Sequence, residues 1–275
     1  MRRAGMWLAV LALAATAAAC GGEPWPEAGH GPSAVELSEP QRRVADRLVS
    51  VFEHGDPGPH YEAVEALGDG RGYTCGTIGF TTSSTEVRTI VEDYAAEVPD
   101  ARLARYLPRL RELADGGSGD TAGLPGFADD WAAAAADPRF RAQQDALADR
   151  LAFTPGRQAA RRLGIRTPLG VAVLYDTAVQ HGTGDDPDGL PALVERATAK
   201  AGGDPAGGVD ERDWLEAFLD VREADLRHPH DEDTRAVWSE SADRVDALRE
   251  LVDDDRYRLD PPVRVTVDGD DFELR

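Results

Sequence analysis

Cysteine occurs only twice in the 275 residues, as Cys20 and Cys75, so no disulfide framework organises the fold. Positive charge is scarce: 30 Lys and Arg stand against 51 Asp and Glu, for a formal net charge of −21. Binding a nucleic-acid backbone requires a basic counter-surface, so this composition argues against nucleic acid and favours a cationic partner. No apolar run reaches the roughly 20 residues that a membrane-spanning helix needs, since residues 6–15 are too short. Aromatic residues make up only 7%, yet hydrophobic residues reach 41%, enough for a core in one large domain or two lobes. Nucleotide-binding signatures are missing too. The segment "LGDGRGYTCGTIGF" (67–80) carries five glycines but fits neither G-x-x-x-x-G-K-[ST] nor G-x-G-x-x-G.

What is present begins with an export signal over residues 1–19: Arg2 and Arg3 form a basic start, residues 6–15 an apolar stretch, and Ala17, Ala18 and Ala19 a small-residue run. That run ends on Cys20 and Gly21 and resembles a bacterial lipobox, in which Cys20 is lipidated, with Ala17 in place of the usual Leu. Either Cys20 is acylated and anchors the protein at the outer face of a membrane, or the signal is cleaved and the protein is released. A Cys20–Cys75 disulfide is the other use of the pair; acylation leaves Cys75 as a lone buried thiol. Residues 20–35, rich in Pro, Gly and Glu, read as a flexible tether, and residues 36–275 as the folded domain, expected to act outside the cell as a monomer.

Ser38 is a predicted N-cap and Gln41 completes a capping box for a first helix with Val44, Leu48, Val51 and Phe52 on one face, ending at the glycines of 55–58. At roughly 100° per residue Glu53 lies about 140° from the centre of that stripe, at the helix C-terminus, where the dipole favours a protonated acid. The stretch "PHYEAVEAL" (59–67) predicts a second helix. Segment 67–80 predicts a loop and a short β-hairpin that present Asp69, Arg71 and Thr74 on a compact scaffold.

These features carry a resemblance. "VSVFEHG" (49–55) followed by "ALGDGRGYTCGTIGF" (66–80) resembles the catalytic region of the glycoside hydrolase family 46 chitosanases. The likeness continues through "YLPRL" (106–110), "FADDWAAAA" (127–135), "LYDTAVQHGTGDDP" (174–187), "WLEAFLDVR" (214–222), "HDEDTR" (230–235) and "LDPPV" (259–263). It implies a mainly α, two-lobed lysozyme-like fold, with a small β-sheet in the N-terminal lobe and a substrate cleft between lobes. It implies further that Glu53 is the general acid, Asp69 the general base, and Thr74 the hydroxyl that orients the attacking water. Inverting glycosidases need one protonated carboxyl and one ionised carboxylate on separate supports, and a helix end and a Gly-rich loop supply two such supports. Arg71 is expected to bind Asp69 or Glu53 and tune its proton affinity, and is grouped with the substrate-binding residues; Glu86, where the family commonly has Asp, and Asp231 are implied to bind the ammonium groups and sugars of chitosan. Asp176, Arg222 and Arg235 match a buried network that braces the centre from behind.

No metal or cofactor is expected. His228, His230, Asp231 and Asp233 have zinc-ligand chemistry, but H-x-H-D in a Pro-containing loop is a weak pattern. "GTGDDPDG" has Pro191 where a calcium loop starting at Asp186 needs glycine, and reads as a turn. Two other readings share the same features: a peptidoglycan hydrolase, which this acidic chain suits poorly, and a non-catalytic surface-tethered sugar-binding lipoprotein, against which Glu53, Asp69 and Thr74 argue.

Overall fold

The computed structural model describes residues 35–230 and 235–275; the signal stretch, Cys20 with most of the tether, Asp231 and Asp233 lie outside them. The first helix, α1 (Glu39–His54), forms where the spacing of its apolar residues predicts it. Gln41 Oε1 accepts hydrogen bonds from both the Ser38 N–H and the Ser38 hydroxyl, each at 2.9 Å. Gly55, in the left-handed region at φ 64°, closes the helix and donates to the Val51 carbonyl. Every residue from 48 to 53 is buried, so the last turns are enclosed on all sides rather than along one stripe.

Pro59–Arg150 form one compact unit. Residues 59–67 do not make the expected helix: after a turn at Tyr61 they form a strand, β1 (Val64–Ala66). The stretch is shorter than the roughly 12–15 residues an isolated helix needs, and its carbonyls are bonded elsewhere. Trp131 Nε1 and Gln144 Nε2 both donate to the Tyr61 carbonyl at 2.9 Å, and the Gly76 N–H donates to the Ala63 carbonyl at 2.8 Å. β1 pairs antiparallel with β2 (Tyr73–Cys75), and β2 with β3 (Phe80–Thr81), in the order β1-β2-β3. The Gly-rich loop is thus the β1–β2 connection. Helices α2 (Thr85–Glu97), α3 (Leu107–Gly116), α4 (Phe127–Ala134) and α5 (Pro138–Ala148) follow. Aromatic residues form a connected series here: Tyr73 stacks on Phe127 at 5.6 Å, Phe127 meets Trp131 at 5.8 Å, Trp131 meets Phe140 at 4.8 Å, and Phe140 meets Tyr94 at 5.0 Å. That series ties the sheet to α4, α5 and α2.

The second unit joins the described residues through Gly58 to Leu151–Arg275. It holds α1, α6 (Thr154–Leu163), α7 (Pro168–His181), α8 (Leu190–Ala201), α9 (Glu211–Arg227), α10 (Arg235–Glu240), α11 (Ala242–Asp253) and a hairpin of β4 (Val263–Val267) and β5 (Asp270–Leu274). Its centre is α7, which is buried at every position from 169 to 181 and packs against α1, α6, α8 and α11. A helix apolar all round belongs in a core, and Asp176 in its middle must therefore find its countercharge inside. The hairpin turns through Asp268 and Gly269, left-handed at φ 52° and 81°, as a two-residue turn requires.

Gln144 is fully buried and holds two turns of the 59–80 region together, donating to the Tyr61 carbonyl and accepting from the Thr77 N–H at 3.3 Å. Gln144→Ala should cost about 1–3 kcal/mol by leaving buried backbone groups unsatisfied, read as a lowered midpoint in thermal or urea unfolding. An unchanged midpoint would contradict this role.

Candidate active site

Glu53 sits on the last turn of α1 with only 9% of its surface exposed. Arg244 of α11, itself 2% exposed, donates from Nη2 to Glu53 Oε1 at 2.7 Å and lies over the Phe52 ring at 5.2 Å. Behind them, Asp176 of α7 forms an ion pair with Arg222 of α9, Oδ2 to Nη1 at 2.7 Å, both side chains wholly inaccessible. Arg222 also donates to Gln180 Oε1 at 2.6 Å and, more weakly, to His181 Nε2 at 3.4 Å. His181 Nδ1 faces the Asp188 carbonyl at 3.0 Å, and burial together with the Arg222 charge holds the imidazole neutral. The two partners assign the tautomer: Nδ1 carries the hydrogen and Nε2 accepts.

Burial raises the proton affinity of Glu53 above its ordinary value; the charge and hydrogen bond of Arg244 oppose that rise without cancelling it, and Asp176 adds to it. The largest cause is desolvation. Asp69 is shifted the other way. Partial burial pushes it up, but Arg71 wins: its Nε and Nη2 donate to Asp69 Oδ2 at 2.9 and 2.7 Å, its backbone N–H donates to Oδ1 at 3.0 Å, and its charge adds to both. Both carboxylate oxygens are therefore oriented by one residue two positions on. The loop can fold this tightly because Gly72 is left-handed at φ 80° and lies so near Thr82 that a Cβ would sit 2.2 Å from its Oγ1, the same atom that accepts from the Tyr73 N–H at 3.0 Å. Thr74, central in β2, has a buried hydroxyl with no hydrogen-bond partner among the described residues.

Other sequence-predicted residues lie as follows. Glu86 is half-buried in the first turn of α2, where Oε2 accepts from the Thr81 N–H at 2.9 Å. Cys75 is a buried free thiol, pushed well above its ordinary proton affinity by burial. His230 meets Asp188 through both its backbone N–H and Nδ1, and these two with Asp225 bring ligand atoms within 4.8 Å of one another, a grouping not expected from sequence. Asp225 is also paired with Arg196. The "GTGDDPDG" stretch is a turn, with the Asp188 N–H donating to Asp186 Oδ1.

One assignment is corrected. Arg235 opens α10 on the exposed surface, and the second guanidinium of the buried network is that of Arg244. The signal was available: Arg244 stands four and seven residues before Leu248 and Leu251, so it occupies the apolar stripe of α11, whose buried side includes all three. An arginine in that position must be paired inside the fold.

The described residues thus hold one carboxyl biased toward its acid form and one biased toward its base form, the signature of a divided acid/base task. Residues 47–263 match the model of Glycosyl hydrolase family 46. The chain is 47% identical over 232 residues to the chitosanase of Bacillus subtilis (strain 168), covering 84% of each chain. A native chitosanase from Bacillus subtilis MY002 has a similar structure, with a TM-score of 0.83 at 45% identity over 87% of this chain and 100% of that one. A family 46 chitosanase from Gynuella sunshinyii, solved in complex with chitotetraose, gives 0.83 at 43% identity over 87% and 99%. With the family model and these relatives covering most of the described residues on a mainly helical, lysozyme-like fold, the chain belongs to glycosyl hydrolase family 46.

Proposed function

We propose that the protein is an endo-acting chitosanase that cleaves β-1,4 bonds with inversion. The observation that carries this is the opposite bias of its two carboxyls: Glu53 keeps its proton for the leaving oxygen, and Asp69 stays ionised to take one from water. Once Glu53 has given its proton, Arg244 at 2.7 Å stabilises the carboxylate that remains, which lowers the barrier to transfer. Thr74 is the hydroxyl assigned to orient the attacking water; its Oγ1 is buried without a partner among the described residues and reaches that water only by rotating its side chain. A chain of net charge −21 attracts a polymer of ammonium groups, and the related Gynuella enzyme was solved with chitotetraose.

Direct inversion at the anomeric carbon makes the new reducing end α. Proton NMR of the first product should show that anomer, with reducing ends released from chitosan well ahead of chitin and peptidoglycan. Glu53→Gln should lower turnover by about 10²–10⁴-fold. A β product, or near wild-type turnover in Glu53→Gln, would contradict the assigned roles.

Arg244→Ala should reduce kcat and move the alkaline limb of the pH profile upward. The sign follows from the surroundings of Glu53: burial raises its proton affinity, Arg244 lowers it, and loss of Arg244 leaves the raising influence unopposed. An alkaline limb that stays in place or falls would exclude this coupling.

The N-terminal segment and Cys20 support a protein anchored by an acyl chain outside the cell. Native protein should then partition with membranes into detergent, and Cys20→Ala should release it with unchanged chitosanase activity. An intact mass equal to the unmodified Cys20 chain would rule the anchor out.

A further inference from the structure

The catalytic loop has a backing that the acid/base roles do not account for. After α3 the chain turns at Gly117, left-handed at φ 59°, and runs through residues 118–123, where Gly119 meets the Gly-rich loop. The contact is backbone on backbone. A Cβ at Gly119 would stand 2.0 Å from the Gly70 carbonyl oxygen, 2.3 Å from the Gly70 carbonyl carbon and 2.8 Å from the Gly72 nitrogen. Gly119 does not need glycine for its own conformation, because its φ lies outside the left-handed region; it needs glycine for the approach alone. The two residues it touches flank Arg71, which holds both oxygens of Asp69. Thr82 constrains Gly72 from a second direction.

The backing segment is itself fastened. Arg109 of α3 donates from Nε to the Ala122 carbonyl at 2.9 Å and from Nη2 to Asp120 Oδ2 at 2.8 Å, and reaches the Asp120 carbonyl at 3.3 Å. Asp120 Oδ1 accepts from the Ala122 N–H at 2.9 Å, and the Ser118 N–H returns to the Leu113 carbonyl at 2.9 Å. The segment is thus pinned to α3 at both ends of its contact with the loop.

We propose that the 117–123 segment is the positioning support of the general base, with Gly119 its contact point and Arg109 its clamp. It acts through the loop and touches no reacting atom: it fixes where Arg71 stands and hence where the Asp69 carboxylate points. The inference rests on Asp69 being the base. Gly119→Ala leaves the residue's own conformation allowed and drives a methyl group into the loop backbone, which cannot yield as a flexible side chain could. A displacement of about 1 Å at a reacting group costs on the order of 10²-fold in rate. Gly119→Ala should therefore lower kcat by about 10–100-fold with little change in KM. It should also move the acid limb of the pH profile upward, because Arg71 then holds the ionised Asp69 less well.

Four variants of the full chain, assayed on chitosan across pH, test this. Gly116→Ala is the control: the same substitution next to the segment, with open space around it and φ outside the left-handed region, should leave kcat and the pH profile unchanged. Arg109→Ala, which loosens the clamp at a partly exposed site, should shift kcat and the acid limb in the direction of Gly119→Ala but less far. Asp69→Asn separates the premises. If Asp69→Asn is inactive while folded Gly119→Ala keeps the wild-type kcat and acid limb, the support role is wrong and the base assignment stands. If Asp69→Asn is active, the base assignment itself fails. Should Gly119→Ala not fold, Arg109→Ala decides: a wild-type kcat and acid limb there overturn the proposal, and a lowered kcat with a raised acid limb upholds it.

Discussion

Four ionisable side chains from four helices meet out of water: Glu53 of α1, Asp176 of α7, Arg222 of α9 and Arg244 of α11. A lone charge in such surroundings costs several kcal/mol even after relaxation, so each must be paired or neutralised. Asp176 is matched by Arg222 through direct contact and by Arg244 through its field. Glu53 is the group whose charge can change. Protonated, it leaves the set with one excess positive charge; ionised, it balances the set but bears its own desolvation. Both states are penalised, by different routes, and the carboxyl is poised to pass between them. Burial alone would lock the proton on, and Arg244 alone would strip it off.

Asp69 shows how the same chemical group is made into the opposite. It sits on a loop, not a helix, and its countercharge comes from Arg71, two residues on, rather than from a distant helix. That local pairing fixes the carboxylate within a single turn of chain, which demands a backbone most residues cannot follow. The glycines of 68–72 meet that demand at an entropic cost, and the sheet and the 118–123 segment restore the lost rigidity. One carboxyl is thus governed by long-range burial, the other by short-range geometry.

This division explains what could be read from the sequence. Short-range features were legible: the cap and stripe of α1, the loop around Asp69, the lone buried Cys75. Long-range ones were not. The stripe of α1 placed Glu53 toward its polar side, because helical periodicity cannot register neighbours that enclose a helix end completely. Residues 59–67 carry a helical composition, but the partners of the Tyr61 and Ala63 carbonyls, which hold them as a turn and strand, come from α4, α5 and Gly76. Motif likeness points to Arg235, whereas the guanidinium inside the fold is that of Arg244, on the buried side of α11. Asp231 and Cys20 fall outside the described residues.

The central claim is that Glu53 holds its proton because it is buried, against the pull of Arg244. Isotope-edited infrared spectroscopy of carboxyl-labelled protein, titrated across the acidic range with Glu53→Gln as the subtraction reference, measures this directly. The protonated C=O stretch of Glu53 should persist above the pH at which an ordinary glutamate ionises, at a frequency typical of a dry, hydrogen-bonded acid. A band that disappears at or below the ordinary value of 4.5 would contradict the account.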